Sequence, residues 1–128
     1  MNLVHAVAVL AVIQYMVFSA LVGRARVRYG IKAPATSGHD MFERAYRVQM
    51  NTLEQLVAFL PALLIAGLYW PHAMIAAFGV AYLVGRELYR HLYMTGPRRR
   101  APGFILTALS TTVLVIAALT GALGLAVR

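Results

Sequence analysis

Phe42-Glu43-Arg44-Ala45-Tyr46-Arg47-Val48-Gln49-Met50-Asn51-Thr52-Leu53-Glu54-Gln55 runs without a break into the apolar segment Leu56–Tyr69. Together the two are long enough to cross a bilayer, which takes about 20 residues of helix. The charged and amide side chains in the first half are expensive in hydrocarbon and belong on the inside of a helix bundle or against a water-filled cavity. The segment therefore reads as one helix with an apolar outer half and a buried polar site in the inner half.

The rest of the chain supports a membrane setting. Of 128 residues, 61% are hydrophobic and only 12% charged, against about a quarter charged in an ordinary soluble domain. Four apolar stretches are long enough to span: Leu3–Val22, Met41–Tyr69, Ala73–Met94 and Pro102–Val127. The expected fold is an all-α membrane protein, a single four-transmembrane-helix bundle over residues 1–128. Gly23 to Asp40, with Gly30, Pro34, Ser37 and Gly38, reads as a basic loop. Trp70-Pro71-His72 reads as a tight turn. Gly96-Pro97 stops the third helix, and Pro102 suits the first turn of the fourth. Pro61 falls inside the second span. The first span lacks a basic leading segment and reads as a retained helix rather than a signal peptide.

Charge sets the orientation. Arg24, Arg26, Arg28 and Lys32 crowd the first connection; Arg90, Arg98, Arg99 and Arg100 crowd the third; the second has no Lys or Arg. The positive-inside rule places connections one and three in the cytoplasm and both termini on the opposite side. The net charge of +8 is thus accounted for by topology and by contact with anionic lipid, not by nucleic acid. With no cysteine, disulfides, thiolate metal sites and a cysteine nucleophile are excluded. The histidines show no ligand spacing, so no metal is expected.

At about 100° per residue, Glu43, Arg47, Asn51 and Glu54 fall within about 80° of arc, with Arg44 and Gln55 at the border and Gln49 on the opposite side. Tyr82, Arg86, Tyr89, Arg90 and Tyr93 fall within about 100° on the third helix. Glu54 and Arg86 have similar depth and opposite sign, so an ion pair between them, within a chain or between subunits, is the economical expectation. Glu87 lies off that face and is placed to reach Arg90. Gln14 and His5 on the first span read as interhelical hydrogen-bond formers. The competing bland reading is that the polar faces are packing contacts between helices and that Arg98-Arg99-Arg100 is a topology signal. The functional reading is a pocket rich in Arg, Tyr, amide and carboxylate. It suits a small, multiply charged ligand, with arginine for carboxylates and an apolar wall for a hydrophobic second substrate.

Phe42-Glu43-Arg44-x-Tyr46-Arg47-x-Gln49-x-Asn51-x-x-Glu54, Ala66-Gly67-Leu68-Tyr69-Trp70 and Tyr82-x-x-x-Arg86-x-x-Tyr89-x-x-x-Tyr93 resemble the MAPEG family, membrane-associated proteins in eicosanoid and glutathione metabolism. The likeness is to its leukotriene C synthase and 5-lipoxygenase-activating protein branch, and it covers nearly the whole chain. The resemblance implies a homotrimer with glutathione as co-substrate, bound between adjacent subunits by Arg26, Arg47, Gln49, Asn51, Glu54, Tyr89 and Tyr93. It implies that Arg100 is the catalytic arginine that stabilises the glutathione thiolate. The expected activity is glutathione transferase, with peroxidase activity toward lipid hydroperoxides as a companion. A non-catalytic lipid-binding scaffold is the alternative, and a small transport protein a third class. Gln55 stands where the synthase pattern has tyrosine, Val27 interrupts an arginine pair, and Pro61 is not at the synthase position. The eicosanoid substrate is therefore not carried over.

Overall fold

The computed structural model describes residues 1–126 and is all-helical. α1 is Leu3–Tyr29, α2 is Asp40–Tyr69, α3 is His72–Thr95 and α4 is Ala101–Ala122, with a 3-10 turn at Pro97–Arg99 before α4. The expected fourth span runs to Val127; the helix ends at Ala122, and Val127 lies outside the described residues.

The helices begin and end for local reasons. Asn2 caps α1 by accepting from the His5 backbone N–H at 3.1 Å, and Gly30 closes it in the left-handed conformation (φ 68°), which a residue without Cβ adopts freely. The expectation of a loop from Gly23 is thus corrected: α1 continues for two further turns. Arg24, Arg26 and Arg28 are good helix formers, and a Cβ at Gly23 would meet nothing, so no packing demand breaks the helix there. His39 Nδ1 caps α2 by accepting from Met41 N–H. Pro61 sits inside α2 without ending it, and α2 passes to α3 through the expected turn at Trp70–Pro71.

α1, α2 and the α4 segment are long and apolar enough to cross a membrane. α3 has the length, 24 residues, or about 36 Å at 1.5 Å per residue. Its composition is less apolar because Arg86, Glu87 and Arg90 fall within it. The costliest of these is hidden from any lipid, since Arg86 has 0% exposure. Outward-facing side chains such as Val9, Leu10, Val57, Leu68, Leu109 and Ile116 are exposed, as expected where the surrounding solvent is hydrocarbon.

Two ends of the bundle are tied differently. At the end carrying the α2–α3 turn, Trp70 donates its indole N–H to the Ala117 carbonyl (2.8 Å). Gly67 lies against Val4, and Gly121 lies against the Tyr69 ring. At the other end Arg44 joins the start of α2 to the end of α3. It pairs with Asp40 (2.8 Å) and donates to the Met94 carbonyl (2.9 Å). Between them lies a core of Val4, Val7, Phe59, Leu63, Ile75 and Leu114, with Tyr82 stacked on Phe59 at 3.6 Å between ring centroids. Gln14 of α1 donates to the Leu83 carbonyl of α3 (2.9 Å), the interhelical bond expected of it.

Candidate functional site

The site is set by how closely α3 and α4 approach. A Cβ on Gly103 would run into the Tyr89 backbone, and one on Gly85 would sit 2.8 Å from Thr107 Oγ1. Glycine at both positions lets the helix axes close up. The first turn of α4 and the preceding 3-10 turn are thereby held against Tyr89 and Tyr93, and Arg98 and Arg100 are brought to the mouth of a pocket.

That pocket, of about 670 Å³, is lined by Arg47 and Asn51 of α2, Tyr89 and Tyr93 of α3, Arg98 and Arg100 of the connection, and Ala101 and Phe104 of α4. Three guanidinium groups face it, and no carboxylate is among the described lining residues. The N-terminal turn of α4 borders the same space through Ala101 and Phe104 and adds the partial positive charge of a helix start. Arg100 is steadied by donating to the Pro97 carbonyl (2.8 Å). Tyr89 and Tyr93 lean together with ring centroids 5.5 Å apart. Such an array suits an anion with more than one acidic group, and the tyrosine hydroxyls suit a developing negative charge.

Beneath the pocket lies Arg86. Its Nη1 donates to Asn51 Oδ1 at 2.7 Å and its Nε to Thr107 Oγ1 at 3.0 Å, with Thr52 Oγ1 at 3.4 Å. Its Cζ stands 4.3 Å from the Tyr89 ring centroid, a favourable cation–π distance. The expected Glu54–Arg86 ion pair is not formed. Glu54 is exposed on α2, and the fully enclosed guanidinium offers no surface to a carboxylate from another chain. Neutral oxygens do the work instead, and Thr107 is the partner that charge matching could not find. Its signal was the small and hydroxylated face Gly103, Thr107, Ser110 and Thr111 of α4, all buried.

The residues assigned to glutathione by resemblance divide into two groups. Arg47, Asn51, Tyr89, Tyr93 and Arg100 come together in the pocket. Arg26, Gln49 and Glu54 do not line it. Arg26 donates to the Ala35 carbonyl (2.7 Å) and lies 4.8 Å over the Phe42 ring. Gln49, on the opposite side of α2 as its register requires, donates to Ser19 Oγ of α1 (2.9 Å). Arg90 leaves the tyrosine face, pairs with Glu87 (3.2 Å) and turns toward α1. Arg98 and Phe104 are pocket residues that sequence spacing did not single out.

Comparison with known proteins shows the family. The MAPEG family profile matches residues 4–120. The chain belongs to the MAPEG family. Among its relatives, an uncharacterized protein of Synechocystis is 44% identical over 88% of this chain and 82% of its own length. Microsomal glutathione S-transferase 2 of Homo sapiens is 36% identical over 97% of this chain and 82% of its length. Leukotriene C4 synthase of Bos taurus is 32% identical over 94% and 81%. With a MAPEG sequence and helices apolar enough to cross a membrane, the chain is an integral membrane protein.

Proposed function

We propose that this MAPEG protein is a membrane-bound glutathione transferase that forms the glutathione thiolate and directs it at hydrophobic electrophiles, with lipid hydroperoxides as a second class of acceptor. The observation that carries the reading is the convergence of Arg47, Asn51, Tyr89, Tyr93 and Arg100 on one carboxylate-free pocket. Relatives named as glutathione S-transferase and leukotriene C4 synthase support the same class of chemistry.

The roles follow from charge and position. Arg47 and Arg98 take the carboxylates of glutathione, for which guanidinium forks are well matched. Asn51, its carbonyl oxygen already held by Arg86, turns its amide N–H groups to the peptide backbone of the ligand. Arg100 lies next to the thiol. A thiol titrates near 8.5, and a guanidinium within about 4–6 Å lowers such a value by about 1–3 units. That moves glutathione from mostly protonated to mostly ionised at neutral pH, and the thiolate is the nucleophile. The sulfur then attacks an electrophilic carbon, forming a thioether and expelling the leaving group or opening a ring. With a hydroperoxide it takes the terminal oxygen, releasing the alcohol, and a second glutathione thiol resolves the sulfenic acid to the disulfide with loss of water. Phe104, 41% exposed, and the exposed Ile105 and Leu109 beyond it form the lipid-side wall along which an apolar acceptor enters.

Arg26, Gln49 and Glu54 support a homotrimer in this reading. They lie outside the pocket of their own chain, and a site shared between neighbouring subunits gives them a place at the ligand. All four helices span, with connections one and three and the pocket on the cytoplasmic side. The test is conjugation of glutathione to a chloronitrobenzene by protein purified in detergent. Turnover that saturates with glutathione is expected. Absence of turnover with bound lipid retained would transfer the protein to the scaffold class.

A further inference from the structure

A second basic pocket lies on the other side of α2 and α3. It measures about 270 Å³, with an apolar floor that includes Phe18, Leu21, Val48 and Met94 and a rim of Arg24, Arg28 and Arg90. No carboxylate is among its described lining residues. Of the nearby acids, Asp40 is paired with Arg44 at 2.8 Å, and Glu87 at the edge of the pocket is paired with Arg90 at 3.2 Å, which leaves Arg24 and Arg28 as the uncompensated cations of the rim. This pocket is separate from the glutathione pocket. Ala45 and Val48 point about 100° around α2 from Arg47 and Asn51, and Arg90 and Met94 about 100° around α3 from Tyr89 and Tyr93.

An apolar groove continues from it. Leu10, Ile13 and Val17 of α1 face Leu83, Val84 and Leu88 of α3, with Gln14, Glu87 and His91 also in the lining, and Arg90 borders both the groove and the basic pocket. On α1, Leu10, Ile13, Val17, Leu21, Arg24 and Arg28 share about 80° of arc. One helix face therefore passes from exposed apolar side chains to arginines at the end where the basic connections lie. The order is that of a phospholipid: a hydrocarbon chain, then an anionic headgroup at the membrane boundary.

We propose that the α1–α3 groove and its basic pocket bind one anionic phospholipid per chain, with the phosphate held by Arg24 and Arg28, the Arg90–Glu87 pair at its edge, and an acyl chain lying along Leu10, Val17 and Val84. A soluble anion has no use for the groove, and a neutral lipid none for the unpaired charges of Arg24 and Arg28. Basic pockets between membrane helices are suited to such headgroups. The inference does not depend on the glutathione reading, because none of these residues lines the other pocket.

The test is native mass spectrometry of the full chain in nonionic detergent, titrated with phosphatidylglycerol or with phosphatidylcholine, for the wild type and the variant Arg24→Gln/Arg28→Gln. Both substituted residues are exposed, so the fold is retained, as a thermal melt will verify. The expected result is one phosphatidylglycerol per chain, little phosphatidylcholine, and at least about tenfold weaker phosphatidylglycerol binding in the variant. Equal uptake of the two lipids, or undiminished uptake by the variant, overturns the proposal. Displacement of the lipid by millimolar inorganic phosphate identifies a soluble-anion site and also overturns it. A variant that changes its number of subunits while keeping its lipid assigns the face to a second copy of the chain, with the same consequence.

Discussion

Arg86 Nη1 lies 2.7 Å from Asn51 Oδ1, so a fully buried cation is answered by a neutral amide that also lines the ligand pocket. The bond fixes which way the Asn51 amide is turned. Its carbonyl is occupied from below, and its N–H groups are left for the pocket. Structure and site chemistry meet in this one contact.

Its energetic consequence distinguishes it from the ion pair expected on charge alone. Asn51→Leu leaves a buried charged donor without its short acceptor and should cost about 1.5–3 kcal/mol, the range for hydrogen bonds to charged groups. Glu54→Gln, at an exposed position, should stay within about 0.5 kcal/mol. Thermal unfolding of the two variants in the same detergent checks this. A Glu54→Gln protein as destabilised as Asn51→Leu would restore the ion pair.

Much of this was legible in the sequence. The turn at Trp70-Pro71 and the stop at Gly96-Pro97 follow from backbone preferences that are local. The α2 face and the tyrosine face of α3 follow from helical periodicity, and they meet at the pocket as Arg47, Asn51, Tyr89 and Tyr93. The Arg86 partner was not legible, because charge matching favours a carboxylate over the hydroxyl of Thr107, and only packing decides between them. The course of α1 past Gly23 was hidden for a related reason. A basic, glycine-containing segment has the composition of a loop, while each of its residues is compatible with a helix. The divergence of Arg90 from its neighbours was equally out of reach, since it depends on Glu87 and on the approach of α1.

Gly103 offers a separate test of how Arg100 is placed. Gly103→Val puts side-chain atoms into the Tyr89 backbone. Overpacking of this kind costs about 1–3 kcal/mol, and it pushes the first turn of α4 outward. The expected outcome is a lowered melting temperature together with a rise in the glutathione KM. A normal melt and normal kinetics would show that close α3–α4 contact does not position the site.

Arg47 makes no hydrogen bond among the described contacts and faces the pocket, so its removal should act on the ligand rather than the fold. Arg47→Ala is expected to weaken glutathione binding by about tenfold, the loss of one charge-assisted contact of roughly 1.4 kcal/mol or more. The melting temperature should be unchanged. Calorimetry in detergent measures the affinity, and wild-type affinity would remove Arg47 from the site.

Arg100 carries the acid–base prediction. A guanidinium beside the thiol favours the thiolate and lowers the pH at which it forms. Without it, the thiol returns toward its free value near 8.5. Arg100→Ala should therefore lose at least about tenfold in conjugation rate at neutral pH and recover part of it as the pH is raised toward 9. A pH–rate profile with the wild-type shape would place thiol activation elsewhere, with Tyr93 the next residue to substitute.

Ionisation of glutathione in this pocket has a direct optical readout. The direct measurement is the ultraviolet thiolate difference spectrum on adding glutathione to purified protein at neutral pH, recorded beside Arg100→Ala. A thiolate band that saturates in the wild type and is absent from the variant is the predicted result. No band at saturating glutathione, or an equal band in both proteins, would mean that Arg100 does not ionise glutathione in this pocket.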